Sequence, residues 1–230
     1  MKRLLTIVRV SELADIAHRL VGLFHQENEL QTDAFLKNLF EKIDTQATAL
    51  SVAIKKEVAV SKLEEADNLR DETIMNLSNI LLGYRSMRSP EIRESAEKLY
   101  AVFDRYGTKI TRENYSSESA HIESLLRDFS ATELQEAIGK LLGVSDTIEE
   151  LRTRQTAFHT ERMAYEKSVS EQEFDESATA LKKPLLGLIN TKLISYLAAL
   201  QEESTYTNFS KVVSQVIDDA NTTINRRGKK

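Results

Sequence analysis

The chain contains no cysteine. Disulfides, thiolate nucleophiles and thiolate-bound zinc are excluded at once, and the lack fits a reducing compartment. Breakers are scarce as well, with seven glycines and two prolines in 230 residues, where ordinary usage is about 7% for Gly and about 5% for Pro. A sheet protein needs turn residues every ~8–12 positions, so this shortage points to long helices. Nowhere does an apolar run approach the ~20 residues that cross a bilayer. The opening "MKRLLTIVRV" imitates a signal peptide only briefly. Leu4 to Val8 is short for an apolar core, Arg9 interrupts it, and no small-residue cleavage site follows. A cytoplasmic protein without a membrane span is expected. Positive charge is also in deficit, since the net charge is −5. A nucleic-acid binder would want a basic face to displace counterions, so no nucleic-acid partner is expected. The basic end from Arg226 to Lys230 reads as a solvated tail, the last four residues (227–230) lying outside any folded unit.

Apolar residues make up 41% and charged residues 29%, the composition of a folded globular chain long enough to bury a core. The apolar positions recur at helical spacing. After an extended N-terminal arm over residues 2–10, Ser11 is placed to cap a helix striped by Leu13, Ile16, Ala17, Leu20, Leu23 and Phe24. Leu36, Phe40, Ile43, Ala47, Leu50 and Ile54 form a heptad seam in a second helix. A third carries Leu63, Ala66, Ile74, Leu77, Leu81 and Tyr84. Ser89 and Pro90 open a fourth, which Gly107 is suited to end. The rhythm resumes at Ile122, Leu125, Leu126 and Phe129, and "SATE" (Ser130 to Glu133) reads as a capping box. The next helix keeps a heptad from Leu141 to Val169, and another is expected from about Phe174 to Leu200, with Pro184 kinking it or marking its start. The last uses Phe209, Val213, Val216 and Ile217. The expected fold is all-α, an elongated antiparallel helical bundle.

Two registers suggest an internal duplication. At an offset of 102, Leu20, Leu23 and Phe24 fall on Ile122, Leu125 and Leu126, and Leu36, Leu39 and Phe40 fall on Ile138, Leu141 and Leu142. At 114, Leu99, Val102 and Phe103 fall on Val213, Val216 and Ile217. The expected units are therefore residues 1–107, including the arm, and 118–226, joined near 107–117.

Chemistry is sparse. Glu118–x–x–His121 has the spacing of a di-metal carboxylate motif on a helix, and Asp15–x–x–His18 is its nearest counterpart. In the register that aligns the apolar stripes, however, His18 falls on Ala120, and one residue is about 100° of rotation. Glu118 and His121 are thus the metal candidates, and the pattern argues against them. No nucleophile elbow or phosphate-binding loop occurs, so no catalytic residue and no cofactor is expected. Arg70 sits on the seam between Ala66 and Ile74, with Asp67 within reach three residues before it. Gln155 and Arg162 interrupt the later heptad. Asp67, Arg70, Asp71 and Arg162 are the expected structural polar cluster. Its preferred reading is an arginine–carboxylate clamp that sets helix register; the alternative is a pocket for a small anion.

"ADNLRDETIMNL" (Ala66 to Leu77) and "YGTKITRENYSSESAHIESLLRDF" (Tyr106 to Phe129) carry an Arg70–Asp71 pair, a Tyr106–Gly107 pair, and Tyr115 with Glu118 three residues on. With the opening "LLTIVRVSELADIAH", these resemble a family of uncharacterised all-helical bacterial proteins, mostly from Bacteroidetes. The resemblance implies a helical fold and no activity. The expected function is a non-enzymatic interaction or structural protein, working through a protein partner or self-association. The alternative is a bundle that holds a ligand or metal between its helices.

Overall fold

The computed structural model describes residues 1–170 and 176–227, and every regular element among them is helical. The fold is all-α. In chain order the helices are α1 (Val10–Gln26), α2 (Ala34–Arg85), α3 (Pro90–Asp104), α4 (Tyr115–Phe129), α5 (Thr132–Lys140), α6 (Val144–Ser170), α7 (Ala178–Gly187), α8 (Ile194–Leu200) and α9 (Ser204–Arg227). A π-helical segment, Leu188–Leu193, joins α7 to α8, and 3₁₀ turns occupy Leu30–Thr32 and Thr108–Arg112.

The second and third expected helices are one helix of 52 residues. Nothing between Ile54 and Leu63 can stop it, because "KKEVAVSK" holds neither Gly nor Pro and the first glycine of α2 is Gly83. At ~1.5 Å per residue it is about 78 Å long. Asp33 starts it: Oδ1 accepts the N–H groups of Phe35 (2.8 Å) and Leu36 (3.1 Å). Oδ2 accepts the hydroxyls of Tyr196 (2.7 Å) and Tyr206 (2.8 Å). Burial alone would raise the Asp33 pKa, but these four hydrogen bonds outweigh it and hold the carboxyl below the usual carboxylate range.

Two caps and one helix start differ from their expected places. The residue before α1 is Arg9, not Ser11, and its N–H bonds Glu12 Oε2 at 2.8 Å. Ala131, not Ser130, precedes α5; Ser130 belongs to the end of α4, where its hydroxyl donates to Leu126 O. Leu141 lies in the turn before α6, not within it. Pro184 sits inside α7, and the start expected near Phe174 lies outside the described residues. Gly107 takes φ 63°, and its N–H closes onto Phe103 O at 2.8 Å beyond the end of α3.

The compact units do not follow the expected division at 107–117. One comprises Met1–Val58 and Lys167–Lys230; the other is Ala59–Glu166. The observed divides at 58 and 166 fall inside α2 and α6, each of which contributes residues to both units. In the first unit, Phe24 stacks on Phe40 at 4.2 Å between centroids and Phe209 meets Phe40 edge-on at 6.0 Å. Leu4 and Val8 of the arm, Leu185, Ile189, Leu193 and Leu197, and Val213 and Ile217 complete that core. In the second, Ile74, Leu77 and Leu81 of α2 pack with Leu99 and Phe103, Ile122 and Leu125, Ile138 and Leu151. The residues paired at an offset of 102 differ in setting: Leu36, Leu39 and Phe40 lie in one helix, whereas Leu141 and Leu142 lie in the turn after α5, and Phe40 is 2% exposed against 87% for Leu142.

Asp33→Ala removes a helix cap and two acceptor bonds together, and should destabilise the chain by about 2 kcal/mol. Because the Asp33 pKa is depressed, its contribution is present above the ordinary carboxylate range and is lost as pH falls through the folded value. Chemical denaturation of wild type and variant should converge at acidic pH; a constant gap would contradict the assignment.

Candidate functional site

The candidate site lies within the second unit, around Arg70 of α2. Arg70 is 0% exposed, so its charge must be matched by groups that arrive with it. Asp67, one turn earlier, supplies Oδ1 at 2.7 Å from Nη2. Glu118 Oε2 accepts from the same nitrogen. Nη1 donates to Ser119 Oγ at 3.0 Å and to Gln155 Oε1 at 3.1 Å. The guanidinium carbon lies over the Phe158 ring, 3.7 Å from its centroid, which adds an attraction between cation and ring face that Lys would reproduce poorly. Tyr115 closes against the edge of Phe158 at 5.2 Å.

Local sequence places each partner. Asn114 caps α4 by accepting from the N–H groups of Ser116 and Ser117 at 3.1 Å. That fixes Glu118 in the first turn, where the helix dipole favours a carboxylate. Gln155 and Phe158, three apart on α6, share the face turned to α2. Behind them Gln155 Nε2 lies 2.9 Å from His159 Nε2, and His159 Nε2 lies 3.0 Å from Glu123 Oε1.

Three carboxyls meet one guanidinium, so charge is not balanced. Asp71 Oδ1 and Glu118 Oε1 are both buried without a conventional donor, as is Arg70 Nε without an acceptor. Asp71 and Glu118 offer oxygens within 4.8 Å of each other, and two carboxyl groups so close are not both ionised without cost. Burial is the largest cause that raises Glu118, followed by the neighbouring Asp71 and the charge of Asp67; the opposing charge of Arg70 is outweighed, and the pKa is pushed up to about 8. Asp71 is raised too, first by burial and then by the charge of Asp67. At neutral pH the pair therefore holds one proton, and Glu118 Oε2 still accepts from Arg70.

Asp67 and Arg70 thus meet as their spacing requires, and Asp71 joins them through Glu118. Arg162 does not: it pairs with Glu166 at 3.1 Å and donates to Ser116 Oγ at 3.0 Å, apart from Arg70. Glu118 and His121 do not converge either. Glu118 turns inward to Arg70, whereas the half-buried His121 directs Nδ1 to Glu113 at 3.0 Å. Ser119 and Phe158 were not singled out by the sequence; the apolar spacing Leu151–Phe158 reads as plain core, and only the packing shows a cation above the ring. As for a metal, Asp67, Asp71 and Glu118 each offer an oxygen within 4.8 Å of the other two. A divalent cation there would compete with Arg70 for Asp67 and Glu118 and with the proton of the pair. Among the described residues, the hollow between α1 and α9 is about 180 Å³ and one along α2 about 240 Å³, both below the ~300 Å³ at which small-molecule sites begin.

A family model described as a family of unknown function, DUF6261, matches residues 60–217. The match spans more than half of the chain, which therefore belongs to this family, as the resemblance around Arg70 and Tyr115 implied. No curated protein and no solved structure matches it.

Arg70→Ala should lower the melting temperature by about 10 °C, the consequence of stranding buried carboxylates, and Arg70→Lys should recover little of it. A melting temperature unchanged in Arg70→Ala would mean that the guanidinium contributes nothing to the fold. The pH dependence runs the other way from that of Asp33. The folded state holds the Glu118 proton more tightly than the unfolded chain, so stability falls as pH rises from the ordinary glutamate value to about 8, then levels. Glu118→Gln keeps the donor and acceptor without the charge; its melting temperature should exceed that of wild type at pH 8 and approach it at pH 5. A pH-independent difference would contradict a protonated Glu118.

Proposed function

We propose that this member of the family is a non-enzymatic interaction or structural protein of a bacterial cytoplasm, acting through a protein partner or through self-association. One observation carries the reading. The densest convergence of polar groups is closed, with Arg70 wholly buried, both of its terminal nitrogens engaged and its face covered by Phe158. Groups arranged in that way lock α2, α4 and α6 in register. A substrate would need the same donors free and facing a cleft. The net charge of −5 opposes polyanionic partners, and no described helix is long and apolar enough to cross a membrane.

The second reading is a ligand- or metal-binding helical protein of the di-metal carboxylate type. It is favoured only by the mutual 4.8 Å reach of Asp67, Asp71 and Glu118. Two measurements on the full chain separate the readings. Elemental analysis of protein grown with added iron, manganese and zinc should show no stoichiometric metal under the first reading. Affinity capture from the native host, followed by reconstitution with the identified protein, should give a purified complex. Stoichiometric metal, with no reconstituted complex, would reverse the order of the two.

A further inference from the structure

The Arg70 cluster reaches the surface through one line of side chains, and the donors and acceptors on that line do not all agree. Gln155 is 4% exposed, and its amide is oriented from within. Arg70 Nη1 can only donate, so the Gln155 oxygen turns to it, at 3.1 Å, and the amide nitrogen turns outward. There it meets His159 Nε2 at 2.9 Å and Glu123 Oε1 at 3.5 Å. The histidine nitrogen is itself 3.0 Å from the same Glu123 oxygen.

One ring nitrogen thus has two neighbours with opposite demands. Gln155 Nε2 can only donate, so it needs a bare Nε2 on His159, as in the neutral ring protonated at Nδ1. The Glu123 carboxylate can only accept, so it needs a proton on that same Nε2. With Nε2 bare, Gln155 is satisfied and two acceptors, the ring nitrogen and the Glu123 oxygen, stand in contact. With Nε2 protonated, the ring donates to Glu123, and two donors, its own N–H and the Gln155 amide, oppose each other. A second proton on the ring gives the bond to Glu123 its full charge assistance.

We propose that His159 is a proton-operated switch on the Arg70 cluster: the neutral ring accepts from Gln155 and keeps its amide on Arg70, and the protonated ring transfers to Glu123 and releases the amide. Histidine suits this role because its charge ordinarily changes between about pH 5 and 8, and protons can reach the ring, whose side chain is 44% exposed. Gln155 has no such access. Once released, its nitrogen has Glu123 at 3.5 Å to turn to, and a buried amide without a good partner is costly. The amide therefore shifts, and its contact with Arg70 shifts with it. The charges around the ring come from three helices. α4 carries Glu123 and, one turn on, Arg127. α2 carries Arg70, reached through Gln155 and matched by Asp67 and Glu118. On α6 itself, Arg162 is engaged by Glu166 and Ser116. The inference rests on the reading of the cluster as a register lock and adds its regulation: acid moves the hold on α6 from α2 to α4.

Nuclear magnetic resonance of the full-length chain tests this, following the His159 ring, the Gln155 side-chain amide and the Arg70 Nε–H between about pH 5 and 9. The Gln155 and Arg70 resonances should shift with the midpoint of the His159 ring, and those shifts should vanish in His159→Ala. A separate Arg70 transition at about 8 belongs to Glu118 and should survive in that variant. Glu123→Gln removes the charge that favours the proton and should lower the His159 midpoint by about half a pH unit; Gln155→Leu removes the donor that opposes it and should raise the midpoint by a similar amount. Glu123 is 54% exposed, so its variant folds and decides the matter even where Gln155→Leu does not. A His159 midpoint indifferent to Glu123→Gln would overturn the proposal, and so would Gln155 and Arg70 resonances that stay still while the ring titrates. Neither result touches the register lock, which Arg70→Ala tests on its own.

Discussion

The second unit is organised by one buried cation. Arg70 enters the interior on α2 and cannot remain there uncompensated, so α4 must deliver Glu118 and Ser119, and α6 must deliver Gln155 and Phe158, to the same point. Apolar stripes alone would let these helices slide by a turn at small cost, since one Leu replaces another readily. A guanidinium with fixed fork geometry does not slide. The cluster thus adds positional specificity to a core whose apolar contacts supply the driving force.

The same cluster explains why a glutamate in a favourable helix-terminal position has a raised pKa. The dipole of α4 and the charge of Arg70 both favour ionised Glu118, yet burial beside Asp71 and Asp67 outweighs them. Burial and the nearby Asp71 and Asp67 favour a protonated Glu118, which eases the crowding of three carboxyls, two of them only half-buried, around one arginine. That makes the site a proton-holding joint between helices.

The first unit solves a different problem. Its helices leave a groove, and the arm fills it through main-chain bonds to Asn190 and Asn221. Asp33 ties the start of α2 to Tyr196 of α8 and Tyr206 of α9. In both units, therefore, polar side chains at buried positions define which elements meet, while the phenylalanines and leucines around them fill the volume.

Much of this could be read from the chain alone. Helical spacing and the scarcity of Gly and Pro determined an all-α fold, because a helix satisfies its own backbone and needs no distant partner to be predictable. The Asp67–Arg70 contact was equally legible, being one turn of one helix. The continuity of α2 is not legible because residues 55–62, mostly polar, interrupt the stripe, although nothing in them stops a helix. The i,i+3 spacing sets Glu118 beside His121; its partner in the fold is 48 residues away, and no local pattern encodes such a pairing. The π-helical turn that aims Asn190, the placing of Arg162 away from Arg70, and the boundaries at 58 and 166 depend on which faces meet after folding. Local periodicity says which side of a helix is buried; only the tertiary structure decides what it is buried against.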